Sequence, residues 1–380
     1  MDFALTEEQQ AIFDMAREVG QAEIAPHART WEKAGTIPRG LWPRLADLGL
    51  GGVYVAGSRG GSGLSRLDGI LAFEGLAMAC PSVAAFLSIH NMCAAMIDRH
   101  GSAAMKDRLL PDACRMDRVL SYCLTEPGSG SDAAALRTRA EPDGDGWRLT
   151  GTKAFISGGG YSDAYVVMAR TGGEGARGIS AFVIEADAPG LSFGGLEHKM
   201  GWRAQETRQV QMDAVPVTRA DLLGEEGRGF SYAMAGLDGG RLNIAATALG
   251  GAQAAFDATL AYMADRKAFG QSLDQFQALQ FRLAEMETRL QSARTFLRQA
   301  AWMLDRADTR ATTFCAMSKL HVTDIAFDVA NQCLQLHGGY GYLADYGIEK
   351  TVRDLRVHQI LEGTNEIMRV IIARSLIGER

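Results

Sequence analysis

Glu362 lies in the stretch HQILEGTNEIMRVIIARS, residues 358–375, behind the apolar Ile360 and Leu361 and ahead of Gly363, Thr364 and Asn365. Gly, Thr and Asn are residues that start helices, so the carboxylate stands just before a helix whose first N–H groups have no intrahelical partner. In surroundings as apolar as Ile360 and Leu361, desolvation raises a carboxylate's pKa toward neutrality and makes it a usable general base. Read alone, the same residue is an ordinary surface-loop glutamate. The neighbouring segments decide between the two.

Four other segments carry groups suited to binding. In YCLTEPGSGSDAAAL, residues 122–136, a proline and two glycines bring bare N–H groups into a tight loop with Thr125, Ser129 and Ser131. Such a loop holds an anion or the edge of a heteroaromatic ring, or it is a helix start capped by Ser131 or Asp132. GLDGGRLNIAATALGG sets Arg241 beside Gly239 and Gly240 in a helix otherwise lined by Leu, Ala and Ile. A solvated arginine and a ligand-facing one both fit that setting. In RKAFGQSLDQFQALQ, Arg266 falls in a break between helices and Gln277 comes early on the next. An arginine there suits bidentate phosphate binding or a plain helix C-terminal cap. LQLHGGYGYLADYG carries Gly338, Gly339 and Gly341, more glycine than an inter-helix turn needs, which lets backbone approach a ligand closely.

These joints need elements to position them. Residues 1–120 show helical spacing of apolar residues broken by Gly and Pro, with Thr6 and Gln9 forming a capping box at the start. Residues 121–226 change texture: GWRLTGTKAFIS, AYVVMAR, ISAFVIEA and RQVQMDAVPV are short β-branched runs separated by turns, which predicts an antiparallel β domain. Gly173, Gly175 and Gly178 spell a literal GxGxxG there, but a strand-like run follows where a dinucleotide site needs a helix, so a hairpin loop is expected. Residues 227–380 return to helix. Leu279, Leu283, Met286, Leu290, Ala293, Leu297, Ala300 and Leu304 alternate steps of four and three, the stripe of a helix in a bundle.

Composition limits the function classes. Hydrophobic residues make up 47% and charged residues 22%, a globular balance, and the net charge of −6 argues against a protein that works by neutralising nucleic-acid phosphates. No run approaches the roughly 18 apolar residues of a membrane span, and the first residues lack a secretory leader's pattern. The six cysteines include no CxxC pair and the seven histidines no HExxH, so reduced core thiols and no metal site are expected.

Taken in order, YCLTEPGSGSD, GRLNIAATALG, DRKAFGQSL, LQLHGGYGY and ILEGTNEIMR resemble the acyl-CoA dehydrogenase family over essentially the whole chain. The resemblance implies an α+β fold: an N-terminal helical domain, a middle β domain and a C-terminal four-helix bundle, with FAD between the last two. It implies α,β-dehydrogenation of an acyl-CoA thioester, with Glu362 taking the α-proton and the β-carbon passing a hydride to the flavin. The backbone N–H of Glu362 and a flavin ribityl hydroxyl would stabilise the carbonyl oxygen.

By the same resemblance Tyr122, Cys123, Leu124, Thr125, Gly130 and Ser131, with Phe155, Ile156 and Ser157, line the flavin, and Thr364, Asn365 and Glu366 meet it at the helix start. Arg266, Phe276, Gln277, Gln335, Leu336, His337, Gly338 and Gly339 hold its diphosphate and adenosine across a subunit interface. Ser131, Asp238, Gly239, Gly240, Arg241, Gly363 and Arg374 border the acyl-CoA. An electron-transferring flavoprotein as acceptor and a homotetramer built as a dimer of dimers follow, in a bacterial cytoplasm or, for a trimmed form, a mitochondrial matrix. Many members carry Trp at the place of Phe155 and Tyr at the place of Leu361, and one branch keeps its base at the place of Gly240. A glycine cannot serve as base, so the isovaleryl-type and long-chain branches do not fit. SRLDGILAFEGLA, SIHNMCAAMID and RVHQILEGTNEIMR look most like the branch that oxidises isobutyryl-CoA. Butyryl-CoA and 2-methylbutyryl-CoA are the nearest alternative substrates, and a non-catalytic binding relative is a remote one.

Overall fold

The computed structural model describes residues 4–378. The chain begins with α1 (Glu7–Val19), and its start is the expected capping box: Thr6 Oγ1 accepts from the Gln9 N–H and Gln9 Oε1 from the Thr6 N–H, both at 3.2 Å. Two short helices, α2 (Ala28–Ala34) and α3 (Leu41–Ala46), lead to α4 (Arg66–Ala77), α5 (Pro81–His100) and α6 (Ala103–Cys114). The glycine-rich segment VAGSRGGSGLS, residues 55–65, lies between α3 and α4. Helix α5 starts with Pro81 in its first turn, where a missing N–H costs nothing, and is buried along most of its length. That all-round burial has a cause: α5 packs on the later helices as well as on the sheet.

Among the described residues the main sheet has seven strands, β1 (Leu120–Cys123), β2 (Arg139–Asp143), β3 (Gly146–Ser157), β4 (Ala164–Arg170), β5 (Ile179–Glu185), β6 (Leu191–Phe193) and β7 (Thr207–Val217). Pairs β2/β3, β3/β7, β6/β7 and β4/β5 are antiparallel. The expectation of a wholly antiparallel sheet needs one correction. Strand β1 runs parallel to β4, from Leu120 opposite Ala164 to Cys123 opposite Val167, and a single pair joins β2 to β4 in parallel. Parallel neighbours need a long crossover, and the whole β2–β3 hairpin supplies it here. Gly173, Gly175 and Gly178 lie in the β4–β5 hairpin loop, where the Gly178 carbonyl accepts the Thr171 N–H at 2.9 Å.

The last part is built on three long helices, α7 (Gly229–Asp265), α8 (Gln277–Asp305) and α9 (Ala311–Leu336), completed by α10 (Ile348–Arg356) and α11 (Asn365–Ile377), which both pack on α9. The apolar stripe of α8 is where its spacing puts it: Met286, Leu290, Ala293, Leu297 and Ala300 are buried, with Leu279, Leu283 and Leu304 packed against the same core. All six cysteines are buried free thiols. Among the described residues no helix is long and apolar enough to cross a membrane.

Candidate active site

Thr364 caps α11, its hydroxyl accepting the Ile367 N–H at 3.3 Å, so the chain just before it must turn sharply. It does so through two consecutive left-handed residues, Glu362 at φ +55° and Gly363 at φ +88°. The turn lays the Glu362 carboxyl on α7 at Gly240, where an ideal Cβ would stand only 2.7 Å from Glu362 Oε2. Glycine is therefore a steric condition at 240, because any side chain would displace the acid. Among the described residues Oε2 is buried and finds no hydrogen-bond partner. The Glu362 N–H likewise donates to no backbone acceptor among them. Burial pushes the Glu362 carboxyl up to about 7, against the opposing pull of Arg241 and Lys319.

Arg241 is not the solvated arginine of the first reading: the residue is 4% exposed. Its Nε donates to the Glu362 carbonyl at 3.3 Å and its Nη1 pairs with Asp238 Oδ1 at 2.5 Å. Asp238 Oδ2 also accepts from Thr312 Oγ1 at 2.7 Å. Because Asp238 balances Arg241, the guanidinium steadies the Glu362 backbone while the carboxyl stays near neutrality in its proton affinity. The other cation, Lys319, was not singled out from sequence. The available signal was its place between Cys315 and Val322, at the four- and three-residue steps of a buried helical stripe.

Strand β1 closes the other side. Tyr122 presents a buried hydroxyl without a hydrogen-bond partner among the described residues, raised far above its ordinary pKa by burial and by Glu362 beside it. Beyond Tyr122, the glycine-rich loop is held by a buried ion pair that sequence reading missed, Lys153 with Glu126 at 2.9 Å. Lys153 Nζ also donates to the Leu124 carbonyl at 3.0 Å, and Glu126 accepts the N–H groups of Arg137 and Thr138 at 2.6 and 2.9 Å. The Ala154 N–H donates to the Thr125 carbonyl at 2.8 Å, which ties the loop to β3. There β3 carries a bulge between Lys153 and Ile156, and Phe155, at φ +59°, is thrown out of the ladder with 69% of its surface exposed. Cys123 and Ile156 turn into the sheet core. Ser157 uses its carbonyl to accept from Ser121 Oγ at 2.6 Å. Gly130 and Ser131 are exposed at the loop's end. The alternative reading, a helix start capped by Ser131 or Asp132, does not hold: only one 3₁₀ turn, Ala133–Ala135, follows, and Ser129 Oγ instead donates to the Asp132 carbonyl at 2.6 Å.

The remaining residues gather elsewhere. Arg266 ends α7, and its N–H donates to the Tyr262 carbonyl at 2.9 Å, so the backbone closes the helix and the guanidinium is left over, above the Tyr340 ring at 5.2 Å. Arg266, Leu336, His337, Gly338 and Gly339 line one cleft of about 350 Å³. Its floor is Tyr262, stacked on His337 at 4.3 Å and donating to the His337 carbonyl at 3.2 Å. Phe276 precedes α8 with its ring against Phe269, and Gln277 opens that helix. Gln335 is exposed near the end of α9. From Gly240 to Arg266, α7 runs on the order of 26 residues, about 39 Å at 1.5 Å per residue. One chain thus holds two separate groups of predicted residues. Arg374 joins neither, being exposed in the last turn of α11.

Family models for the N-terminal, middle and C-terminal domains of acyl-CoA dehydrogenases match residues 6–117, 121–215 and 227–377. The chain belongs to the acyl-CoA dehydrogenase family. It is 50% identical over 375 residues to the mitochondrial isobutyryl-CoA dehydrogenase of Bos taurus, covering 99% of this chain and 90% of that one. Identity to the corresponding enzyme of Dictyostelium discoideum is also 50%, over 373 residues, covering 98% and 90%. The solved butyryl-CoA dehydrogenase of Megasphaera elsdenii superposes with a TM-score of 0.96 at 36% identity, covering 99% of this chain and all of that one. This chain is accordingly a FAD-dependent acyl-CoA dehydrogenase, with the family's helical, β and helical parts in order. Its residues fit that cofactor. An exposed aromatic sits on a bulge beside a backbone-rich loop, and a leftover guanidinium faces an open glycine turn.

Proposed function

We propose that the substrate is a short α-branched thioester, isobutyryl-CoA, converted to methacrylyl-CoA in valine degradation. The observation that carries the chemistry is the Glu362 joint, an unpaired buried carboxyl oxygen and an unpaired N–H on one residue. An α-proton beside a thioester is only weakly acidic, so its removal needs a base near neutral pH and a donor where charge develops on the carbonyl oxygen. Glu362 supplies the base through Oε2, and its own N–H supplies a donor. FAD, when bound, supplies the acceptor for the hydride that leaves the β-carbon. Gly240 leaves room for the carboxyl, and burial keeps water from competing for it. The substrate class is supported by full-length identity of 50% to two isobutyryl-CoA dehydrogenases against 36% to a butyryl-CoA enzyme. Leu361 agrees with it, an aliphatic side chain packed with Ala85, Trp202 and Ile244 beside the base.

Tyr122–Thr125, Gly130, Ser131, Phe155–Ser157 and Thr364–Glu366 of one chain hold the flavin end of FAD in this reading. Arg266, Phe276, Gln277 and Gln335–Gly339 of a second chain hold its diphosphate and adenosine. The separation of about 39 Å along α7, longer than one extended FAD, supports that division and with it a homotetramer of paired dimers. Ser131, Asp238–Arg241, Gly363 and Arg374 border the acyl-CoA. Electrons pass on to an electron-transferring flavoprotein, the units divide at 120/121 and 226/227, and the enzyme works in a bacterial cytoplasm or, as a trimmed form, in a mitochondrial matrix.

Anaerobic titration with isobutyryl-, butyryl-, 2-methylbutyryl- and isovaleryl-CoA, following the visible flavin band, tests the substrate. Bleaching at the lowest concentration by isobutyryl-CoA is the expected result. Preference for a straight or longer chain overturns the valine assignment, and a protein that stays colourless with added FAD overturns the whole reading.

A further inference from the structure

Lys319 is fully buried in the middle of α9 and, among the described residues, forms no ion pair. A buried ammonium without a carboxylate is costly. Its hydrogen-bond partners are two neutral oxygens, the Gly363 carbonyl and Asn365 Oδ1, each at 2.8 Å. Asn365 is itself held, its amide donating to Thr323 Oγ1 at 3.1 Å and Asp324 Oδ1 at 2.7 Å, both on α9. The ammonium therefore clamps the first residue of α11 and the second left-handed residue of the joint onto the bundle. Left-handed backbone at a residue other than glycine costs roughly 1–2 kcal/mol and persists only where its surroundings fix it. At Glu362 the fixing contacts come from both sides: Arg241 on its own carbonyl and Lys319 on the next.

We propose that Lys319 is a positioning residue for the catalytic base: by holding the Gly363 carbonyl and Asn365 it fixes the left-handed turn that aims the Glu362 carboxyl over Gly240. This rests on Glu362 being the base. The charged and titratable groups facing Glu362 and Lys319 come from five elements: Asp238 and Arg241 on α7, Asp324 on α9, Glu366 on α11, Cys93 on α5 and Tyr122 on β1. Arg241 and Lys319 are the cations that pull Glu362 down against burial. Lys319 is itself pushed down to about 7 by burial, so it carries its charge on the acid side, where Glu362 gains its proton.

The test uses the FAD-loaded holoenzyme and whichever acyl-CoA the wild type oxidises fastest. Lys319→Met keeps the side chain's length and removes donor and charge. Flavin content and KM should stay near wild type while kcat falls roughly 10- to 100-fold, the usual effect of a slightly misplaced catalytic group. The acid limb of kcat/KM should move up by about one pH unit as a nearby cation is lost. Wild-type kcat with an unmoved limb overturns the proposal, as does a loss of kcat at every pH together with lost flavin. If that variant does not fold, Lys319→Gln, which keeps a donor but no charge, must still raise the limb; an unmoved limb there overturns the proposal as well. Glu362→Gln measured in parallel separates the two claims, because wild-type turnover in that variant removes the base assignment whatever Lys319 does.

Discussion

The joint at Glu362 and the cleft at Arg266 lie far apart along α7 and treat charge in opposite ways. At the joint every charge is covered. Glu362 lies against Gly240, Arg241 is balanced by Asp238, and Lys319 donates its hydrogen bonds to neutral oxygens. At the cleft the guanidinium of Arg266 rests on the open ring of Tyr340, beside Gly338 and Gly339, with no carboxylate paired to it among the described residues. Covering a carboxyl moves its proton affinity, the property a base needs. Leaving an arginine open keeps a fixed charge ready for an anion, which is what a phosphate needs. The two regions should therefore fail differently: one by losing chemistry, the other by losing cofactor.

The largest effect should come from Glu362→Gln. This change keeps the shape and removes the base, so turnover should fall roughly 10²–10⁴-fold with FAD still bound and acyl-CoA still held. Steady-state kinetics beside flavin absorbance per chain checks it, and near-normal turnover would break the contrast at its catalytic end. Arg266→Ala should do the reverse. Losing charge-assisted bonds worth about 1.5–3 kcal/mol should weaken FAD retention about ten- to a hundredfold, while turnover per bound flavin stays near wild type. Full flavin occupancy after dialysis, or a fall in turnover per flavin, would each show that the cleft does something else.

How well each region could be read in the sequence follows from the same contrast. The cleft and the joint both sit at breaks between elements, and glycine marks such breaks; Gly338, Gly339 and Gly363 were visible for that reason. Helical stripes such as that of α8 are set by local spacing, so they were legible too. The residues that hold the site were not. Lys153 meets Glu126 across 27 positions and Lys319 meets Gly363 across 44, and in a linear string each is one more lysine. Arg241 could not be placed inside or outside before Asp238 and the Glu362 carbonyl were beside it. The parallel pairing of β1 depends on a crossover whose strands come later in the chain.

The smallest expected effect sharpens the comparison most, because it reads burial itself and needs no substrate. Glu362 has an ordinary value of 4.5 and stands at about 7 in the folded chain. Below 4.5 both the folded and the unfolded forms are protonated and the residue costs nothing. As pH rises from 4.5 to 7 the unfolded chain ionises first, so the folded state loses stability, and above 7 the loss is complete. Glu362 as a whole residue is half-buried although Oε2 is covered, and that loss is roughly 1–3 kcal/mol. Glu362→Gln has no such proton to lose, so its stability relative to wild type should be greater at pH 8 than at pH 5, by up to that amount, in urea unfolding at matched flavin content. Arg266→Ala, at an open cation that stays charged throughout, should show the same offset from wild type at both pH values. A pH-independent offset for Glu362→Gln would mean that the carboxyl is not held against its ionisation, and the difference between joint and cleft would then be one of position alone.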